Sequence, residues 1–174
     1  ISKRAVGSGT GSETRFLVDD QSQSGLPQVV AEWRAENGVT NIIRTYQVGL
    51  DLICQDDGPS GGNRRYFLAD ALGSTRMLAN DTGNPLHLFH YDAFGRVLGR
   101  LDWSFSGTNS GSWGAVPLPL NGLPTQHLFA GEHWDNDLQL AYHRARYYSP
   151  NLGRFWTPDT YEGNQCRPLS IHRY

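Results

Sequence analysis

The chain has 174 residues, 38% hydrophobic and 18% charged, with a formal net charge of −2. That balance leaves no electrostatic case for a nucleic-acid partner or an anionic membrane surface, and no apolar run approaches the roughly 20 residues of a membrane helix. Gly 20, Trp 5 and Tyr 8, without a long Ala- and Leu-rich segment, favour many short strands joined by turns.

The first residue is Ile1 and the only methionine is Met77, so the chain reads as a fragment or processed segment. Residues 1–13 are rich in Gly and Ser, lack periodicity, and read as a flexible N-terminal segment. Arg15–Asp19 is a first strand, ended by turn residues over 21–25. Residues 26–38 carry two readings. One is a helix with Pro27 at its first position and Val29, Val30 and Trp33 on one face; the other is a hairpin turning at Asn37-Gly38. Asn-Gly between apolar runs favours the hairpin. Residues 40–56 suit one or two strands bent at Gly49, and 57–63 form a loop. Cys54 and Cys166 show no metal-ligand spacing and are either one long-range disulfide or two buried thiols.

Asp70-Ala71-Leu72-Gly73 recurs 22 residues later as Asp92-Ala93-Phe94-Gly95. An aromatic-rich strand precedes each copy (Tyr66-Phe67-Leu68, then Phe89-His90-Tyr91). An outgoing strand follows, the second from Arg96, and residues 80–84 supply the reversal between the copies. Asp92 is suited to accept hydrogen bonds from the turn's own amides, Gly95 to take the left-handed backbone, and Tyr91 to pack on the neighbouring strand. Such hairpins cannot bury their apolar faces singly, so copies stack side by side into a sheet. Arg100–Phe105 extends the outgoing strand. Residues 106–125, with Gly, Ser, Pro and an isolated Trp113, read as a long surface loop.

Regularity returns with Phe129-Ala130-Gly131-Glu132, a turn over 133–137, and residues 138–159. In that last stretch Tyr142, Tyr147 and Tyr148 interleave with Arg144 and Arg146. A turn follows at Ser149-Pro150-Asn151-Leu152-Gly153, and Arg154-Phe155-Trp156 leave as a strand that stops at Thr157-Pro158. On one continuous strand Tyr142, Arg144, Arg146 and Tyr148 share a face, while Ala141, His143, Ala145 and Tyr147 share the other. Cross-strand packing explains this alternation, with Asp92 or Asp159 paired to an arginine; stacking on bases or sugars is the rival reading.

The run A-Y-H-R-A-R-Y-Y-S-P-N-L-G-R-F over 141–155, followed by Thr157-Pro158-Asp159, resembles the signature of the RHS repeat-associated core domain, the end of RHS/YD-repeat proteins. Phe129-Ala130-Gly131-Glu132 resembles that domain's entry, and Glu32-Trp33-Arg34-Ala35-Glu36-Asn37-Gly38 resembles a degenerate YD repeat. The resemblance covers roughly residues 29–174. Gln139 stands where the family usually has Gly. The organisation this implies is YD-repeat hairpins over 14–105, the loop over 106–125 and a core signature segment over 126–174. The implied fold is all-β, consecutive antiparallel hairpins forming part of a curved β-shell. Its structural motif residues are Asp70, Gly73, Tyr91, Asp92, Gly95, Arg96, Gly131, Tyr142, Arg144, Arg146, Tyr147, Tyr148, Pro150, Gly153, Arg154, Phe155 and Asp159.

In the family such a shell encloses a polymorphic C-terminal toxin. The implied partners are the remainder of the same polypeptide and that toxin, and the implied location is secreted or on a bacterial cell surface. YD-repeat surfaces are also linked with carbohydrate, which makes Trp103, Trp113 and Trp134 candidate stacking faces for cell-surface glycans. Self-cleavage in toxin-releasing relatives uses a D-P-x-x-G-x-x-x-D-P-x-G motif that does not occur in this sequence, and Asp159 is not assigned that role. A self-cleaving aspartyl protease core with its aspartates beyond residue 174 is the enzyme alternative.

The residues themselves carry little chemistry. Glu132, Asp135 and Asp137, and Asp56 with Asp57, lack the Asp-x-Asp-x-Asp-Gly pattern of a calcium loop. His87 and His90 fall on opposite faces of a strand, which argues against a shared metal. There is no Gly-x-Ser-x-Gly elbow, phosphate-binding loop or His-Glu-x-x-His. The expectation is a non-catalytic segment without metal or cofactor, binding no nucleic acid and inserting in no membrane. Its open sheet edges and apolar face predict poor solubility in isolation.

Overall fold

The computed structural model describes residues 2–5, 12–21, 27–58, 62–106, 110–117 and 122–160. The first sheet contains β1 (Ser2–Ala5), β2 (Ser12–Asp19), β3 (Gln28–Glu36), β4 (Val39–Val48), β5 (Leu52–Asp57), β6 (Arg64–Ala69), β7 (Thr75–Ala79), β8 (Pro85–Tyr91), β9 (Val97–Phe105) and β10 (Gly111–Val116). Its 10 strands lie side by side in sequence order, every pairing antiparallel. A second, 4-stranded sheet follows in the same manner: β11 (His133–Asp135), β12 (Leu140–His143), β13 (Arg146–Ser149) and β14 (Arg154–Phe155). The architecture is all-β, built of consecutive antiparallel hairpins.

Local chemistry sets the reversals. Asn37 and Gly38 both take positive φ, 51° and 78°, as a two-residue type I′ hairpin requires, and this settles residues 28–48 as β3, turn and β4 rather than a helix, with Leu26 outside the described residues. The Asp-x-x-Gly turns share one hydrogen-bond frame. Oδ1 of Asp70 accepts the amides of Leu72 and Ser74, and Oδ1 of Asp92 those of Phe94 and Arg96. Gly73 and Gly95 sit at φ 84° and 87° and donate back to Asp70 and Asp92. The intervening reversal uses the same device: Asn80 Oδ1 accepts Thr82 and Asn84, and Gly83 takes φ 81°. The repeat is therefore three hairpin connections of one kind, with Asn standing in for Asp in the middle one.

Several segments differ from the sequence reading. Ser2–Ala5, placed in a flexible segment, forms β1 and pairs with β2 from Ser2↔Arg15 to Ala5↔Ser12; strand pairing draws on the backbone and needs no side-chain periodicity. Residues 106–125, taken as a surface loop, contain β10, in register from Gly111↔Phe105 to Val116↔Arg100. Gly111 is required there, because a Cβ at that position would lie 2.5 Å from the Trp103 ring. Leu123 and Thr125, at the end of the same stretch, are buried. The turn assigned to 133–137 starts later, because His133–Asp135 is strand β11.

The continuous strand through Tyr142–Tyr148 is instead a hairpin. Residues 144 and 145 turn it, so Tyr142 faces Tyr147 and Ala141 faces Tyr148 across the strands. Arg144 holds φ 59° and the Ala145 amide closes on His143 O at 2.6 Å, a reversal without the Gly, Asn or Pro that normally announces one.

One face of the large sheet is covered. Leu78 and Phe89, each 0% exposed, form a core with Leu123 and Leu128, and Phe67, Tyr91, Val97 and Trp134 pack around them. Burying a side chain of this size stabilises by about 1.5–3 kcal/mol. Leu123, Leu128 and Trp134 come from the far end of the chain, so the apolar stripe of β6–β9 is closed by residues that follow β10.

Candidate functional site

Residues 122–132 run over the covered face as a strap, fixed by backbone carbonyls that take donors from successive strands. Gly122 O accepts from Arg100 of β9 (3.3 Å). Pro124 O accepts both Gln55 of β5 (2.7 Å) and Arg65 of β6 (2.9 Å). His127 O accepts the Thr75 hydroxyl (2.8 Å) and Leu128 O the Thr75 amide (2.9 Å). Ala130 N–H donates to Ser74 Oγ (3.0 Å). Buried carbonyls without such partners would cost about 1–3 kcal/mol each, so these bonds determine where the strap can lie.

Under the strap lies a belt of alternating charge. Glu32 accepts the Tyr46 hydroxyl (2.5 Å) and stands 4.0 Å from Arg44. Arg44 also binds Asp57 (2.7 Å), which holds Arg65 at 3.0 Å. Arg100 binds Asp102 (2.9 Å), which bonds His87 Nδ1 (2.7 Å). Burial pushes the Glu32 carboxyl up, but His133, Arg44 and Tyr46 outweigh it and leave it below its usual range. Burial beside Glu32 drives the Tyr46 phenol well above its ordinary value. Each charge is committed to a neighbour, so the belt fixes register and spacing and does not present a poised acid, base or nucleophile.

The strap and the four-stranded sheet together clasp the repeat turns. A Cβ on Gly95 would sit 2.3 Å from the Phe129 ring, and one on Gly153 2.9 Å from the Phe94 ring. Tyr148 OH donates to Phe94 O (3.0 Å), and Tyr91 OH to Thr75 O (2.8 Å). Gly73 approaches the Ala130 backbone, while Gly131 stands against Gly73 O. Ala130 and Gly131 take φ 54° and 68°, bending the strap over both repeat turns. Both Asp-x-x-Gly copies therefore seat on one short segment, Phe129–Gly131.

Within the four-stranded sheet the tilted rings of Tyr142 and Tyr147 meet across strands at 5.2 Å, and Tyr148, His143 and Phe155 cluster on the other face. Arg146 lies over Phe155 at 3.8 Å and pairs with Asp159 at 2.9 Å. Arg144 reaches Glu132 (2.8 Å) and Pro27 O (3.1 Å), tying the turn back to the large sheet. Pro150 is buried in the loop whose Leu152 and Gly153 amides bond Ser149 O, and Arg154 is exposed on β14. Arg96 pairs with Asp92 at 3.2 Å in solvent. Burial pushes the Asp92 carboxyl up, but the Arg96 and Phe94 amides and the Arg96 charge outweigh it and hold it below its usual range. Gln139 takes φ 57° and donates to Asn136 O at 2.6 Å.

The three candidate glycan-stacking tryptophans are not brought together. Trp103 and Trp113 pair edge-to-face across β9–β10 at 5.1 Å, with Trp113 36% exposed, whereas Trp134 packs on the core. The acidic clusters are consumed locally: Asp56 binds Arg64, and Asp135 Oδ1 caps the amides of Asp137 and Leu138. Cys54 is buried, which pushes its thiol up, and Cys166 lies outside the described residues. Among the described residues no group of His, Cys, Asp or Glu gathers to hold a metal ion, and no helix is long and apolar enough to cross a membrane.

Glu32, Tyr46, Gln55, Arg65, Thr75, Arg100 and His127 were not singled out by the sequence reading. For Glu32, Gln55, Arg65 and Arg100 the available signal was a charged or amide side chain within a strand; Tyr46, Thr75 and His127 carried none.

No family description and no curated protein matches the chain. Among solved structures it is similar to the crystal structure of TcdB2-TccC3 (TM-score 0.58, 17% identity) and to that of TcdB2-TccC3-TEV (TM-score 0.58, 16% identity). The alignments cover 90% and 91% of this chain, and it spans 7% of the length of each matched chain. The likeness establishes the class of fold: RHS-like, all-β, made of antiparallel hairpin sheets.

Proposed function

We propose that this chain is a structural wall segment of a larger RHS-type polypeptide, part of a secreted β-shell that encloses and delivers a C-terminal toxin. The observation that carries this reading is the uninterrupted order β1 to β10, with each outer strand paired on one side only among the described residues, so the same sheet can continue at either edge. The fold likeness, spread over 90% of this chain and 7% of the matched one, supports the same reading. The signature sheet then fixes the turns of the last repeats, and the segment itself does no chemistry. Its partners are the rest of its own polypeptide and the enclosed toxin.

The test is electron microscopy of the full-length polypeptide, together with limited proteolysis of its C-terminal region. A hollow particle with this segment in its wall and a protected C-terminal region is expected. A solid or extended particle, with this segment as a separate domain, overturns the reading. A second reading, glycan contact, rests on the Trp103–Trp113 pair at the sheet edge, of which Trp103 is half-buried and Trp113 is exposed. Glycan-array binding lost in Trp113→Ala supports it, and no binding by the unaltered chain removes it.

A further inference from the structure

The strap is held over the sheet by bonds from β5, β6, β7 and β9, but one of its own side chains sits in a setting that tolerates only one charge state. His127 is 7% exposed. Its Nδ1 bonds Gly131 O at 2.9 Å, and because a carbonyl can only accept, Nδ1 carries the hydrogen. Its Nε2 is buried and has no hydrogen-bond partner among the described residues. The ring stands edge-to-face with Tyr46 at 4.6 Å and with His133 at 5.5 Å.

A neutral imidazole fits this site, since its bare Nε2 lone pair needs no acceptor. A protonated one does not, because a second N–H would be buried with no acceptor among the described residues to receive it. The surrounding charges offer little relief. Glu32 of β3 is the nearby carboxylate, but the Tyr46 hydroxyl, Arg44 at 4.0 Å and His133 Nε2 at 3.6 Å already face it. Arg44 of β4, whose other carboxylate is Asp57 of β5, adds positive charge on the same side, as would a protonated His133 of β11.

We propose that His127 makes the strap an acid-operated latch: protonation of its ring frees residues 122–132 from the covered face while the hairpins of the large sheet stay paired. The direction of the shift agrees. Burial first, then His133, pushes the His127 pKa down to about 4 from an ordinary 6.5. A released ring therefore takes up a proton below about pH 6.5, whereas a docked ring stays neutral until about pH 4. The latch is fully closed above pH 6.5 and weakens progressively through that window. A shift of this size moves the docked-to-released ratio by up to about 300-fold. Glu32 acts in the same direction only at lower pH, because its docked carboxyl lies below its ordinary value of 4.5.

The experiment is hydrogen exchange on the full chain between pH 7.5 and 4.5, corrected for intrinsic rates. It reads the strap-linked amides of Thr75, Ala130 and Trp134 against core amides of β8. On going to pH 5 the strap-linked amides are expected to lose protection at least ten-fold more than those of β8. His127→Asn, which can still donate to Gly131 O but cannot titrate, is expected to remove that extra loss, and His87→Asn is expected to retain it. Equal pH dependence in wild type and His127→Asn, or no selective loss down to pH 4.5, overturns the proposal. If His127→Asn does not fold, an imidazole titration of wild type by NMR decides. A docked-state pKa near 4 to 5 supports the latch, and one near 6.5 overturns it.

Discussion

Replacing Gly95 with alanine separates two costs that the structure superimposes at one turn. Gly95 holds φ 87°, and an added Cβ would lie 2.3 Å from the Phe129 ring. Gly83 holds φ 81° in the same hydrogen-bond frame, but a Cβ there meets nothing within 4 Å. Gly83→Ala therefore carries only the left-handed backbone penalty of about 1–2 kcal/mol. Gly95→Ala carries that penalty plus the displacement of a packed aromatic ring, about 1–3 kcal/mol more. Urea unfolding of the full chain, followed by tryptophan fluorescence, measures both, and an unchanged denaturant slope shows that the compared states are the same. In a Phe129→Ala background the cost of Gly95→Ala is expected to fall to that of Gly83→Ala, and the difference is the coupling between strap and turn. Equal costs for the two glycines in the Phe129 background would refute the claim that the turn is a seat for Phe129.

Two further substitutions probe the same seam. Gln139→Gly is expected to stabilise the chain by up to about 1 kcal/mol, because glycine relieves a φ of 57° at the loss of one exposed side-chain bond; thermal melting checks the sign. Thr75→Val keeps the side-chain shape but leaves His127 O without its 2.8 Å hydroxyl donor, and should cost about 1–3 kcal/mol in urea titration, with faster exchange at Ala130.

Turn chemistry was the most legible part of the sequence. Asp70, Asp92 and Asn37-Gly38 name their own geometry, since a short polar side chain and a glycine settle hydrogen bonds and φ within a few residues. Asn80–Asn84 was legible as a reversal but not as a third copy of the same frame, because Asn replaces Asp there. The Arg144–Ala145 turn was hidden for the opposite reason. Nothing in Arg-Ala favours positive φ, and Arg144 is held by Glu132 and by the Pro27 carbonyl, a contact 117 residues away in sequence. Strand β10 was likewise hidden by its Gly and Ser, of which Gly111 is fitted to the Trp103 ring. The charge belt required the register of β3 to β6 before Glu32, Arg44, Asp57 and Arg65 could be seen on one face.

The neighbour-to-neighbour order of the large sheet has a consequence for biosynthesis. Each hairpin can close as soon as its second strand leaves the ribosome, because every pairing is local in sequence. The strap cannot: Thr75 waits 52 residues for His127, and Gln55 waits 69 for Pro124. For that interval the nascent chain carries a fully paired sheet whose Leu78 and Phe89 are still bare. Translation stalled before residue 122 would thus yield a product with sound backbone pairing and an uncovered apolar stripe, the species most in need of a chaperone.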